Sequence, residues 1–195
     1  HFLKIIMKDI IKTYNNEVDA LSLLHKNEGG GKARSKSGLA FENFLESICD
    51  VNGLVAKRND YKKSEIIDGE QFDKLQVDKH CYRDNVLVKM IESKTYLDAC
   101  YLKRAVNDFI DLHNSPDVPD DVEYAIVAGQ KCVADASLGF ESAKFKRSTG
   151  KDLKLFVLNQ HKIRNPKKAI YMEMYRNDFN LDMSEVEDFV EWLQK

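Results

Sequence analysis

Apolar residues at Ile6, Ile10, Tyr14, Val18, Leu21 and Leu24 recur with the spacing of one helical face, which predicts a helix over residues 2–25. A second stripe, Phe41, Phe44, Leu45 and Ile48, predicts a helix over 39–50. Between them lies Gly29-Gly30-Gly31-Lys32-Ala33-Arg34-Ser35-Lys36-Ser37-Gly38, and residues 26–38 read as a flexible basic loop. An irregular basic stretch with Lys57, Arg58, Lys62 and Lys63 follows. The pattern then shifts to strands over 72–79 and 86–94, with Asp84-Asn85 supplying the turn between them. Helical spacing returns over 96–113 through Leu102, Val106, Phe109 and Ile110, and Asn114-Ser115-Pro116 stops it. Residues 122–128 and 153–158 read as strands, 169–174 as a further candidate strand, and 134–146 as a short helix. Ser184-x-x-Glu187 has the form of a capping box and opens a last helix that reaches Leu193. Helices interleaved with strands around one central hairpin predict a single α/β domain over residues 1–195, with a central mixed β-sheet flanked by helices.

Composition narrows the classes of protein. The chain has 195 residues, 43% hydrophobic and 32% charged, enough for one domain with a substantial core and too apolar for global disorder. No apolar run approaches the roughly 20 residues of a membrane span, so a membrane partner is not expected. Cys49, Cys81, Cys100 and Cys132 form no CxxC pair and no zinc-ligand spacing with a histidine; they read as buried thiols of a reducing, cytoplasmic compartment. Met7 reads as a native start, with residues 1–6 an appendage, and no secretory signal pattern is present.

Thirty Lys and Arg against 32 Asp and Glu give a net charge of −2, but the charges are segregated. Residues 141–168 carry Lys144, Lys146, Arg147, Lys151, Lys154, Lys162, Arg164, Lys167 and Lys168 against only Glu141 and Asp152. Residues 173–191 reverse the balance, with seven acids against Arg176. A basic surface beside an acidic one suits a polyanion partner, and two solvated faces are the plain alternative. Lys32, Arg34 and Lys36 in the glycine-rich stretch are candidate phosphate contacts, as are Lys144, Lys146, Arg147, Lys162 and Arg164. Gln130 and Lys131, at the end of the strand after Val127, are candidate DNA contacts, with a solvated strand end as the alternative.

The chemistry concentrates in Gln76-Val77-Asp78 and Met90-Ile91-Glu92-Ser93-Lys94. Side chains alternate along a strand, so Glu92 and Lys94 point the same way. A turn centred between Asp84 and Asn85 sets Asp78 opposite Ile91, one step from Glu92, and a bulge would adjust the facing. Two carboxylates at a strand end repel unless a cation neutralises them. Mg²⁺ suits such a pair because it takes one or two carboxylates, keeps waters and accepts phosphate oxygens. The pattern [DE]xK alone is weak, recurring at Asp60-Tyr61-Lys62 and Asp152-Leu153-Lys154, but only Glu92-Ser93-Lys94 terminates an apolar strand. Other chemistries lack support. The glycine-rich stretch is not GxxxxGK[ST], the histidines form no HExxH, and no GxSxG elbow exists. His80 reads as a surface residue near the turn, and Trp192 as core.

The order of a helix with Glu42, a strand with Asp78, a hairpin to Glu92-Ser93-Lys94 and a helix after Thr95 resembles the PD-(D/E)xK nuclease superfamily, over about residues 38–128. Val77 stands where the family's name has proline. The resemblance is to type II restriction endonucleases above all. It implies a restriction-endonuclease-like fold, with Asp78 and Glu92 binding Mg²⁺, Lys94 assisting the attacking water, and Glu42 on the preceding helix near the metal, with Glu46 as the second choice. It also implies hydrolysis of double-stranded DNA to a 5′-phosphate and a 3′-hydroxyl, by a homodimer where the target is palindromic. A repair, recombination or structure-specific nuclease of the same superfamily, and a non-catalytic DNA-binding protein on the same fold, are the alternatives.

Overall fold

The computed structural model describes residues 2–28, 30–58, 64–73, 77–116, 118–159 and 180–195. They belong to two compact units, His1–Gly53 with Val157–Lys195, and Leu54–Phe156.

The first unit is built on two long helices, α1 (Phe2–Glu28) and α2 (Gly30–Val51). They fold back on each other. Tyr14 stacks on Phe44 with centroids 4.6 Å apart, and Leu21 clusters with Ala33 and Ala40. The loop expected over 26–38 is therefore helical on both sides of residue 29. Ala33, Ser37 and Ala40 are all buried. These small residues at helical spacing let two helices approach closely, a face that a search for bulky apolar residues passes over. The C-terminal helix α5 (Met183–Gln194) opens on a capping box formed by Asp182 and Glu185, two residues before the pair expected at Ser184 and Glu187. The Asp182 carboxylate takes the Ser184 amide at 2.9 Å, a charge-assisted cap that starts the helix early and leaves Ser184 inside it. Asn15 joins α1 to the segment before α5 with two 2.8 Å hydrogen bonds to the Leu181 backbone. Trp192 is buried in this helix's inner face, as expected.

The second unit contains the sheet. Its strands are β1 (Val55–Lys57), β2 (Ser64–Ile67), β3 (Glu70–Asp73), β4 (Lys79–Arg83), β5 (Val86–Leu97), β6 (Glu123–Lys131) and β7 (Leu153–Val157), the last residue of which belongs to the first unit. Five strands form a sheet in the order β1-β4-β5-β6-β7. β1–β4 and β4–β5 are antiparallel and β5–β6 parallel, so the sheet is mixed, as the sequence pattern implies. Helix α3 (Ala99–His113) connects β5 to β6, as a parallel pair requires, and α4 (Asp135–Thr149) follows β6. Both helices pack on one sheet face, where Phe109, Tyr124 and Phe145 meet edge to face with centroids 5.2–6.4 Å apart.

The strand expected over 72–79 is two different things. Its start belongs to the separate β2–β3 hairpin, turned by Asp68 and Gly69 at φ 52° and 82°. Its end, Lys79, begins β4. Asp68-Gly69 is the strongest two-residue hairpin signal in this region, and it places a turn just ahead of the expected strand. The helix expected from residue 96 begins at Ala99, because Tyr96 and Leu97 still pair with Gln130 and Lys131 of β6. Asp98 then caps the helix by accepting the Tyr101 amide at 2.7 Å. The candidate strand over 169–174 lies outside the described residues.

Candidate active site

The β4–β5 turn is centred on Asp84 and Asn85, both at positive φ, as a tight hairpin requires. Register is not uniform beyond it. Tyr82 pairs with Leu87 but Cys81 pairs with Lys89, so Val88 forms a bulge. Ile91 therefore faces Lys79 and not Asp78, which corrects the pairing expected from the turn alone. Carried one residue on, the same register aligns Asp78 with Glu92. The bulge thus improves the juxtaposition of the two carboxylates.

Asp78 lies just before β4 and is fixed by the next strand. Its Oδ2 accepts the Ser93 amide at 2.8 Å and the Ser93 hydroxyl at 3.0 Å. Arg58 reaches to 4.0 Å from the other carboxylate oxygen, with more than half of its own side chain exposed. Glu92 is only 5% exposed. Burial pushes its carboxyl up to about 9; the Asp78 charge and a hydrogen bond between the two carboxyls raise it too, while the Tyr101 hydroxyl opposes the shift. That hydroxyl donates to Glu92 Oε2 at 3.0 Å, and burial beside Glu92 and Asp78 holds the phenol well above its ordinary range. Lys94 shares the face of Glu92, and its ammonium lies 4.3 Å from the centroid of the Tyr101 ring. Among the described residues it makes no ion pair with either carboxylate. Asp108, further along α3, pairs with Arg104 at 3.7 Å and adds a smaller repulsion on Glu92.

The structure therefore brings Asp78, just ahead of β4, beside Glu92 and Lys94 within β5, which continues to Leu97 where the sequence pattern ends it at Lys94. Glu42 and Glu46 lie on α2, in the first unit. No group of three or more His, Cys, Asp or Glu residues that could hold a metal is found among the described residues.

The candidate DNA contacts are dispersed. Lys32 and Lys36 are exposed on α2, which also carries Arg34. Lys144 donates to Asn107 Oδ1 and lies 3.7 Å from Glu141; Lys146 pairs with Asp152 at 2.8 Å, and Arg147 is exposed. Lys131 pairs with Asp135 at 3.2 Å. Gln130 is not at a solvated strand end. It is 6% exposed, on the sheet face of Lys94, and neither amide atom has a partner among the described residues. Lys162 and Arg164 lie outside the described residues.

Two further expectations are corrected. His80 is fully buried, because β4 lies between β1 and β5 and sets it opposite Lys57 and Met90. Cys100 and Cys132 are exposed, one in the first turn of α3 and the other just past β6, while Cys49 and Cys81 are buried. All four are free thiols.

Two contributors to the site are missed by the short motif. Ser93 occupies the variable position of Glu92-Ser93-Lys94, yet both its amide and its hydroxyl hold Asp78. Tyr101 lies outside the motif. The legible signal for it is Asp98: a cap there puts Tyr101 in the first helical turn, next to the strand that has just ended.

Fold and cluster together define an α/β protein whose mixed sheet carries an acidic pair and a lysine, in β5 and just ahead of β4. No family model and no curated protein matches the chain. Among solved structures it is similar to NucC of P. aeruginosa ATCC27853 in its cAAA-bound form, at 13% identity, with 98% of each chain covered and a TM-score of 0.41. Among the described residues, no helix is long and apolar enough to cross a membrane.

Proposed function

We propose that this protein is a Mg²⁺-dependent endonuclease that hydrolyses phosphodiester bonds of double-stranded DNA, at specific sequences in the manner of a type II restriction enzyme. The observation that carries this reading is the Asp78–Glu92 pair, Glu92 buried and Asp78 partly so, with Lys94 two residues on along the same face. Such a pair is costly without a cation, and its two carboxylates are the number Mg²⁺ takes while keeping positions for water and phosphate oxygens. The residues fit that ion: Asp78 and Glu92 supply only oxygen donors, and each already has one oxygen hydrogen-bonded. Bound there, Mg²⁺ supplies Lewis-acid polarisation of the phosphate and a water of lowered pKa.

The protein's own groups do the rest. Ser93 holds Asp78 and Tyr101 holds Glu92, so neither carboxylate needs to reorient during reaction. Lys94 brings a positive charge to the same face, suited to orienting the attacking water and to offsetting charge that develops on the phosphate. In-line attack leaves a 5′-phosphate and a 3′-hydroxyl. One such site cuts one strand, so cutting both strands of a palindrome calls for a two-fold homodimer.

Long duplex DNA incubated with Mg²⁺ separates the forms of this reading. Discrete fragments are expected; nicking or a smear moves the reading to a repair or structure-specific nuclease. Without a divalent ion, the site offers phosphate no counter-charge from its acids, and the chain carries a net charge of −2. Duplex DNA is therefore expected to bind at least about tenfold tighter in Ca²⁺ than in EDTA, a difference of about 1.4 kcal/mol. Equal affinity by fluorescence anisotropy in the two buffers contradicts a shared metal–phosphate site.

A further inference from the structure

We infer that Tyr101 is a positioning residue that keeps the cationic and anionic halves of the site apart, leaving the Asp78–Glu92 pair free to take a divalent cation. The inference rests on the proposed reading of that pair as the metal-holding group, and it concerns a residue outside the motif.

The geometry is specific. Glu92 and Lys94 lie on one face of β5, about 6.6 Å apart along the strand, within reach of a lysine side chain. Beside a buried and a partly buried acid, an ammonium is expected to turn back toward them. An ammonium there would fill the place of the cation. Lys94 instead lies over the Tyr101 ring at 4.3 Å, where the negative face of the π-system holds it. The same side chain donates its hydroxyl to Glu92 Oε2 at 3.0 Å, fixing one oxygen of that carboxyl. One residue thus supplies an alternative partner to each charge. Its own position is set by the Asp98 cap, which accepts the Tyr101 amide at 2.7 Å.

The test measures metal binding directly, by the loss of the free-ion electron paramagnetic resonance signal of Mn²⁺ on titration with the full chain. Tyr101→Leu removes ring and hydroxyl, and Mn²⁺ binding is expected to weaken about tenfold as Lys94 collapses onto Glu92. Adding Lys94→Met to Tyr101→Leu is expected to restore affinity to within about threefold of wild type, because the competing charge is gone. Tyr101→Phe keeps the ring and is expected to stay within about threefold. A merely structural role for Tyr101 predicts no rescue by Lys94→Met, and that result overturns the inference. So does unchanged binding in Tyr101→Leu.

If Tyr101→Leu does not fold, Lys94→Met alone decides. With Lys94 already held away, it leaves Mn²⁺ affinity within about threefold, whereas tightening of about tenfold shows that Lys94 occupies the carboxylates in the native protein. Wild-type protein that binds no Mn²⁺ removes the nuclease reading and this inference together. Wild-type protein that binds Mn²⁺ and cleaves DNA, with Tyr101→Leu unaltered in affinity, removes the inference alone.

Discussion

Glu92→Gln is expected to stabilise the metal-free protein at about pH 8 while abolishing Mg²⁺-dependent cleavage of duplex DNA. The Glu92 carboxyl titrates at about 9 in the folded protein against an ordinary 4.5. A carboxyl with a raised folded pKa favours the fold while both states are protonated, below the ordinary value. That contribution is lost as pH rises toward the folded value, because the unfolded chain ionises freely and the buried group does not. Wild type in EDTA should therefore lose stability steadily between these two values, and a divalent ion should restore it. Glutamine keeps the shape and an acceptor for the Tyr101 hydroxyl but carries no charge, so this component of the pH dependence disappears. For a chain of this length each kcal/mol corresponds to roughly 2–4 °C in Tm, so the difference is readable by calorimetry. The same neutral amide is a poor ligand for Mg²⁺. A loss of about a thousandfold in cleavage, about 4 kcal/mol, follows from removing one of two metal-holding oxygens. A variant that is less stable than wild type across this range, or one that still cleaves, contradicts the account.

The second large effect belongs to a residue with no side chain. A Cβ at Gly129 would lie 2.7 Å from the Thr95 carbonyl oxygen. Both are backbone in neighbouring parallel strands, flanked by the Lys94–Ala128 and Tyr96–Gln130 pairs, so nothing can rotate out of the way. Gly129→Ala must force β5 and β6 apart beside Lys94. Overpacking of this kind costs about 1–3 kcal/mol, a drop of roughly 2–12 °C in Tm. Displacing Lys94 by as little as about 1 Å is expected to lower kcat by up to about a hundredfold. Thermal denaturation and single-turnover cleavage read the two effects; a variant with wild-type Tm shows that the strands yield freely there.

The elements of the second unit were legible where hydrophobic period and turn chemistry agreed. The apolar run ending in Glu92, Asp84-Asn85 and the stop at Asn114-Ser115-Pro116 all mark features that the structure contains. What escaped reading depends on contacts distant in sequence. The bulge at Val88 sets the level of Asp78 against Glu92, yet no local pattern distinguishes Val88 from its neighbours. Ala33, Ser37 and Ala40 make a helix of the glycine-rich stretch only because another helix lies against them. Tyr101 joins the cluster through the Asp98 cap. The site itself is half legible: its charges lie in a short motif, but the groups that hold those charges in place, Ser93 and Tyr101, do so through hydrogen bonds that the spacing of acids and lysines does not encode.

The most direct measurement is cleavage of duplex DNA with Mg²⁺ by wild type, Glu92→Ala and Lys94→Ala, each first shown to be folded by circular dichroism. Cleavage by wild type is expected, none in EDTA, and a loss of at least about a hundredfold in both variants. Cleavage that persists in folded Glu92→Ala and Lys94→Ala, or a wild type that cuts no DNA substrate in Mg²⁺, contradicts the nuclease reading.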